Sequence, residues 1–360
     1  MRLADALRDL GCRIDFFDFS AAFSGQVASL STSSQFPLRL ASVLLRTAHR
    51  YDVIDASSGD AWLWATLRRP GGNGSALFFR SHGLEHTTDR RVREDVRAGR
   101  RQLRQRYYVY HGGVRLWEVA RSMRLADHAI FLNEEDLRYS TEQLALPRHK
   151  ASIIPHGLAG HFLEKPLVED SAPVPLTAAF IGTWNDRKGR TTVVDAIQKA
   201  KRAKIDIALR LLGTGQPAAC VMQDFPDDVR GNVTVVPEFE NERLADLLDG
   251  CSILLSPSRS EGFNLGLLEG MACGLVPLTT GTGEAPRLIV HGSNGYVLPW
   301  YDAEAFARVM VDLACRPRQL SAMRRNAQRS VAAYRWGAIA ATTLDLYIAV
   351  RERRHSQRLP

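Results

Sequence analysis

The stretch Leu254-Leu-Ser-Pro-Ser-Arg-Ser-Glu261-Gly-Phe-Asn-Leu-Gly-Leu-Leu-Glu269-Gly-Met-Ala-Cys-Gly274 decides how this chain is read. Cys251 to Ser256 has the length and apolar character of a buried strand. A loop follows, and an apolar helix runs from Leu265 to Cys273. Asn264 stands where an N-cap belongs, and Gly274 sits at the C′ position that glycine favours. A helix that starts just after a strand offers free N–H groups and a positive dipole end, which suits a phosphate. Gly262 removes a side chain where the backbone must come close to that phosphate. Glu261 and Glu269 flank the same cradle. A carboxylate repels phosphate, so these two are placed to accept hydrogen bonds from hydroxyls on either side, such as a ribose and a sugar.

The surrounding pattern is regular. Thr177 to Ile181, Ile205 to Leu212, Val233 to Val236 and Val276 to Thr279 read as strands, with helices over Thr191 to Ala203 and Glu242 to Leu248. Short apolar strands between amphipathic helices imply a parallel sheet covered on both faces. In such a sheet ligands bind beyond the carboxyl ends of the strands. Upstream, Leu163 to Pro175 packs three prolines and three acids into thirteen residues and reads as a linker. Before it, Arg13 to Phe17, Asp52 to Ala56, Ala76 to Arg80, His128 to Leu132 and Ala151 to Ile154 read as strands. A long Arg-rich helical stretch runs from about Asp89 to Arg124. The chain opens on a helix, Leu3 to Leu10, whereas a doubly wound domain normally opens on a strand and a glycine-containing loop. The expected start therefore lies upstream of Met1.

The signature stretch resembles the family-4 glycosyltransferases of the GT-B fold, whose mark is Glu, seven residues, then Glu in this setting. Phe180-Ile-Gly-Thr-Trp-Asn-Asp-Arg-Lys188-Gly189 is similar to that family's strand, Gly-Arg turn and Lys-Gly helix start. Lys188 matches, while Thr183 replaces the arginine, leaving Arg187 to supply the second charge. Ile154-Pro-His-Gly157 resembles a structural turn of the family, in which His156 is not catalytic. Gly283-Glu-Ala-Pro-Arg287 departs from the usual Gly-Gly-x-Pro-Glu. His82, at the end of Leu77-Phe-Phe-Arg-Ser-His82, matches a strand-end histidine that faces the donor sugar, with His86 as a nearby competitor.

The resemblance implies two Rossmann-like α/β domains facing a cleft: residues 1–165 on the acceptor side, residues 176–330 on the donor side, and 331–360 crossing back to the first. It implies a retaining hexosyl transfer from a nucleotide diphospho-sugar to a saccharide or lipid-linked acceptor, in polysaccharide or glycolipid assembly. Glu261 and His82 would act on the transferred sugar. Thr183, Arg187, Lys188, Gly262, Phe263, Asn264, Leu265 and Glu269 would hold the donor, with Glu269 on the ribose hydroxyls. No metal or other cofactor is expected, since no Asp-x-Asp pair occurs. Two rivals remain: a binder or assembly partner without turnover, and a nucleotide-sugar epimerase on the same fold.

Composition bounds the rest. At 360 residues the chain exceeds the ~100–200 of a single ordinary domain. It is 45% apolar and 24% charged, ordinary for a globular protein. No apolar run reaches the ~18 residues needed to span a bilayer, and the start lacks the apolar core of a signal peptide. Five scattered cysteines form neither a disulfide framework nor a zinc set, which fits the cytoplasm. A net charge of +8 favours anionic partners. Arg80 to Arg124 holds twelve arginines against five acids. This stretch is either a solvated helix face or a dock for the anionic inner face of a membrane, with Tyr107, Tyr108 and Tyr110 at the interface. A nucleic-acid partner is not expected, because no recognised motif accompanies it.

Overall fold

The computed structural model describes residues 2–23, 30–68, 74–167 and 176–356. Contacts divide the chain into two compact units, Met1–Pro155 with Trp336–Pro360, and His156–Arg335. The sequence places these boundaries at 165/176 and 330/331, whereas the units part after Pro155 and Arg335. Part of the expected linker, residues 168–175, lies outside the described residues. Its start is packed rather than loose: Lys165 Nζ donates to Ala245 O at 3.1 Å and to Asp249 at 2.9 Å.

The first unit is built on four parallel strands in sequential order, β1 Val53–Ser57, β2 Ala76–Arg80, β3 His128–Phe131 and β4 Ala151–Ile153. Side chains alternate across the pleat. Leu77 and Phe79 enter a core with Leu40, Leu44, Trp64, Val119 and Met123. Ala76 and Phe78 enter another with Leu7, Ala340, Tyr347 and Val350. Helix Trp336–Ser356 thus buries a stripe spaced as one helical face. It is also tied by polar contacts: Arg80 Nε donates to Asp55 at 2.8 Å, and the Tyr347 hydroxyl donates to the same carboxylate.

Two expectations for this unit fail. Arg13 to Phe17 lies in no ladder among the described residues, and β1 is the edge of the sheet. The Arg-rich stretch is not one helix. Helix Glu85–Arg97 stops at Gly99, which takes the left-handed conformation at φ +70° while Arg100 N–H turns back to Asp95 O at 2.9 Å. A second helical run then passes through Gln105–Val109, a π turn at Tyr110–Val114, and Arg115–Leu125. Strand order in this unit is sequential among the described residues, with a packed core on each face of the sheet.

The second unit does reverse. Its strands are β5 Thr177–Ile181, β6 Ala208–Leu212, β7 Val233–Val236, β8 Ile253–Ser256, β9 Val276–Thr280 and β10 Tyr296–Leu298. They pair in parallel in the order β10-β9-β8-β5-β6-β7. The chain winds outward from β5 on one side, then returns to β8 on the other. The two strands at that return, β5 and β8, open a crevice at their carboxyl ends.

Candidate active site

From the end of β5, Gly182 to Gly189 leads into helix Arg190–Arg202. The Asn185 side chain accepts from Lys188 N–H at 3.1 Å and closes the turn Asp186–Lys188. Gly189 follows at φ +80°, and a Cβ there would lie 2.2 Å from Pro257 O. Only glycine lets this loop press so closely on the loop after β8. Arg259 N–H donates to Arg187 O at 2.7 Å, joining the two loops.

That junction brings the charged residues together. Lys188 Nζ lies 2.7 Å from Glu261 Oε1, with the two side chains only 15% and 8% exposed. Arg187 Nη1 is 3.5 Å from Glu261 Oε2 and donates to Ser260 O at 2.9 Å. Two cations thus share one carboxylate, leaving a local positive excess. Thr183, by contrast, is exposed and accepts from Asn185 Nδ2 at 3.0 Å.

Helix Leu265–Ala272 begins as expected, but its cap is different. Asn264 sits at φ +70°, and its side chain accepts no N–H of the helix. Instead Asn264 Nδ2 donates to Ser256 Oγ at 2.8 Å, binding the helix start to the end of β8. Asparagine tolerates this left-handed backbone better than most residues. The consequence is chemical: no side chain covers the first-turn amides at Leu265 and Gly266, where the dipole favours an anion. Gly266 also lets the helix sit on β5, since a Cβ there would be 3.1 Å from Ile181 Cγ2.

Glu269 is buried one turn further on, and Asn241 Nδ2 donates to its Oε1 at 2.9 Å. Asn241 begins the short turn Asn241–Arg243 after β7. The sequence reading missed it, because nothing local links it to Glu269. Phe263 is buried against His156 and Tyr334, at ring distances of 5.3 and 6.3 Å. The Gly283–Arg287 loop folds onto the same place. Glu284 N–H donates to Phe263 O at 3.4 Å, and its buried carboxylate accepts from Tyr334 OH at 2.8 Å and Arg287 Nε at 2.7 Å. Burial, then the Glu284 charge, push the Tyr334 hydroxyl well up. Arg287 in place of the usual acid therefore neutralises Glu284. Arg259 was also missed; it is buried with its guanidinium 4.7 Å from the Trp300 ring and 5.2 Å from Tyr301.

His82 belongs to the first unit, just after β2. Desolvation, then the Arg80 guanidinium, lower its imidazole below the usual range, so the neutral form is favoured at neutral pH. His86, its competitor, is a buried helix residue packed near Tyr139.

Residues 175–316 match the family model described as Glycosyl transferases group 1. The D-inositol 3-phosphate glycosyltransferase of Streptomyces avermitilis is 33% identical over 116 residues, which are 32% of this chain and 25% of that protein. Its Mycobacteroides abscessus counterpart is 27% identical over 171 residues, 47% of this chain and 38% of that one. The match spans about a quarter of the length of the first of these relatives. Among solved structures, sucrose-phosphate synthase from Thermosynechococcus elongatus superposes with a TM-score of 0.70 at 19% identity, covering 89% of this chain and 78% of that one. HepE of Anabaena, solved with UDP and glucose, gives 0.66 at 16% identity, covering 88% and 83%. The chain shares the GT-B fold of these structures, and residues 175–316 are similar to the glycosyl transferases group 1 family.

Proposed function

We propose that this chain, with a glycosyl transferases group 1 domain on a GT-B fold, transfers a hexose from a nucleotide diphospho-sugar to a saccharide or lipid-linked acceptor, with retention of configuration. The observation that carries the reading is the convergence of Lys188, Arg187 and the uncapped start of helix Leu265–Ala272 at the strand-order reversal. HepE, a structural neighbour, was solved with UDP.

In this reading the bond between sugar and diphosphate breaks toward an oxocarbenium-like state, and negative charge grows on the departing diphosphate. Lys188, Arg187 and the amides at the helix start stabilise that charge where it develops. Lys188 does not have to abandon Glu261, because an ammonium carries three donors and can hold the carboxylate and a phosphate oxygen together. Glu269, oriented by Asn241, accepts from the ribose hydroxyls, and Glu261 accepts from the sugar. The departing phosphate takes the acceptor's proton, so no protein nucleophile is required.

Thermal stability against UDP, GDP, ADP and CMP, on wild type and Glu269→Ala, tests the binding step. A nucleotide at 100-fold its dissociation constant adds roughly 2.7 kcal/mol. The expected result is a rise with one diphosphate that Glu269→Ala abolishes. Incubation with the matching nucleotide-sugar and an acceptor panel then tests transfer. Binding without turnover, or isomerisation of the donor without acceptor, would overturn the transferase reading.

A further inference from the structure

The helical run from Gln105 to Leu125 carries features that the site in the second unit does not use. From Val96 to Trp117 the sequence holds six arginines and no acid. Arg100 pairs with Asp95, and Arg115 with Asp60, Glu85 and Glu118. Arg97, Arg101, Arg104 and Arg106 are exposed, and among the described residues no acid lies within ion-pair distance of them. Four uncompensated charges thus crowd the start of this run and the segment before it.

Along the same run, large apolar side chains stand in solvent. Val109 is 69% exposed and Trp117 is 54% exposed, with Val114 exposed between them. The π turn Tyr110–Val114 explains their alignment. Its wider turn stacks Val114 about one turn beyond Val109, and Trp117 follows three residues later on the same side. Trp117 meets Trp62 edge-on at 4.9 Å, and exposed Leu67 ends the helix that Trp62 begins. That neighbouring helix, Trp62–Leu67, contains no acid either.

A core-facing helix would hide these residues, and a merely solvated face has no use for valine and tryptophan standing in water beside its arginines. Arginines around exposed tryptophan, valine and tyrosine instead match the border between lipid headgroups and acyl chains: guanidinium groups meet phosphates, while aromatic and aliphatic groups enter the interface. We propose that this face of the first unit, Val109, Val114 and Trp117 with Arg101, Arg104 and Arg106, docks on an anionic lipid bilayer. No helix among the described residues is long and apolar enough to cross a membrane, so the contact is peripheral. The proposal stands on the first unit alone and does not depend on the transfer chemistry.

Co-sedimentation of the full chain with vesicles tests it, comparing phosphatidylcholine alone with phosphatidylcholine mixed with phosphatidylglycerol. The chain should partition onto the mixed vesicles and leave them as salt rises. Replacing Arg101, Arg104 and Arg106 together by Gln should lower partitioning by about 100-fold, roughly fivefold for each charge. Val109→Ser with Val114→Ser should lower it at any salt concentration. Because these side chains stand in solvent, melting temperatures should stay at the wild-type value, separating lost docking from lost folding. A control, Lys201→Gln with Arg202→Gln in the second unit, should partition as wild type. No preference for the anionic vesicles would overturn the proposal. Equal loss in the control would do the same, as would salt-sensitive capture of single-stranded RNA with no vesicle binding.

Discussion

Lys188→Met separates what Lys188 does for the fold from what it does for a ligand. Its ammonium is 2.7 Å from a Glu261 oxygen, and both side chains are largely shielded from water. Removing one partner of a buried pair costs roughly 3–5 kcal/mol, mostly from the charge left behind. Here Arg187 remains 3.5 Å from the other oxygen, and the pair keeps some solvent contact, so about 2 kcal/mol is the expected loss. Glu261→Gln in the Lys188→Met background removes the stranded charge and should recover most of that, a coupling of roughly 1–2 kcal/mol. Thermal melts give the global effect, and hydrogen exchange along helix Arg190–Arg202 localises it to the second unit. Nucleoside diphosphate affinity should behave differently. It should stay at least about 10-fold down in the double variant, since the ammonium that meets phosphate is still missing. Additive stability effects, with coupling below about 0.5 kcal/mol, would refute the pairing argument. Recovered affinity in the double variant would show that Lys188 serves the ligand only by neutralising the Glu261 carboxylate.

Further expectations come from other parts of the structure. His128 is buried on β3, its Nε2 2.9 Å from Ser152 Oγ, and burial holds it down to about 4. The unfolded chain binds its proton below about pH 6.5 and the folded chain only near pH 4, so stability should fall by about 3 kcal/mol as pH drops through that window. Urea midpoints across pH should show the loss, and His128→Asn should flatten it. Gly189→Ala places a Cβ 2.2 Å from Pro257 O at a left-handed φ, and should lower stability by more than about 3 kcal/mol. Gly231→Ala, which meets nothing, should stay within about 0.5 kcal/mol by the same melt. Asn241→Ala removes a 2.9 Å hydrogen bond to Glu269 and should weaken nucleoside diphosphate binding by about 10-fold in calorimetry, with little change in melting.

The second unit was readable because its signals are local. Four consecutive buried residues make β8, and Gly274 at φ +73° ends the helix behind it. Lys188 and Glu261 were assigned to one site only through family resemblance, since 73 positions separate them and no periodicity spans such a gap, and their ion pair is visible only in the structure. Asn241 had neither signal. Its bond to Glu269 exists because the turn after β7 and the helix after β8 converge at neighbouring strand ends. Arg13 to Phe17 misled for a related reason. Strand character belongs to a pairing, and a stretch that meets no strand partner forms no ladder whatever its composition. Asn264 was rightly placed at the helix start yet wrongly given a capping bond, because the nearby Ser256 hydroxyl takes its side chain.

The contrast between the two sheets bears on where binding chemistry concentrates. In the second unit, the return from β7 to β8 sets β8 beside β5, and the loops that follow these two strands bring Lys188, Glu261 and the uncapped helix start together. In the first unit the described strands run in sequential order, so no such reversal arises between them. What stands beside β1 instead is a cleft of about 960 Å³, bordered by residues 15–19 on one side and by Val53 to Ser57 on the other. Its lining is mixed, with Leu40, Val43 and Leu44 beside Asp55, Asp60 and Arg115, the last two paired at 3.4 Å. Asp60 is pushed up by burial although Arg115 is near, so the pair is poorly solvated. It already spends its one guanidinium on Asp60, Glu85 and Glu118, leaving no positive excess for a phosphate. In the proposed reading, the anionic groups of the donor therefore meet the second unit, where positive charge is in excess.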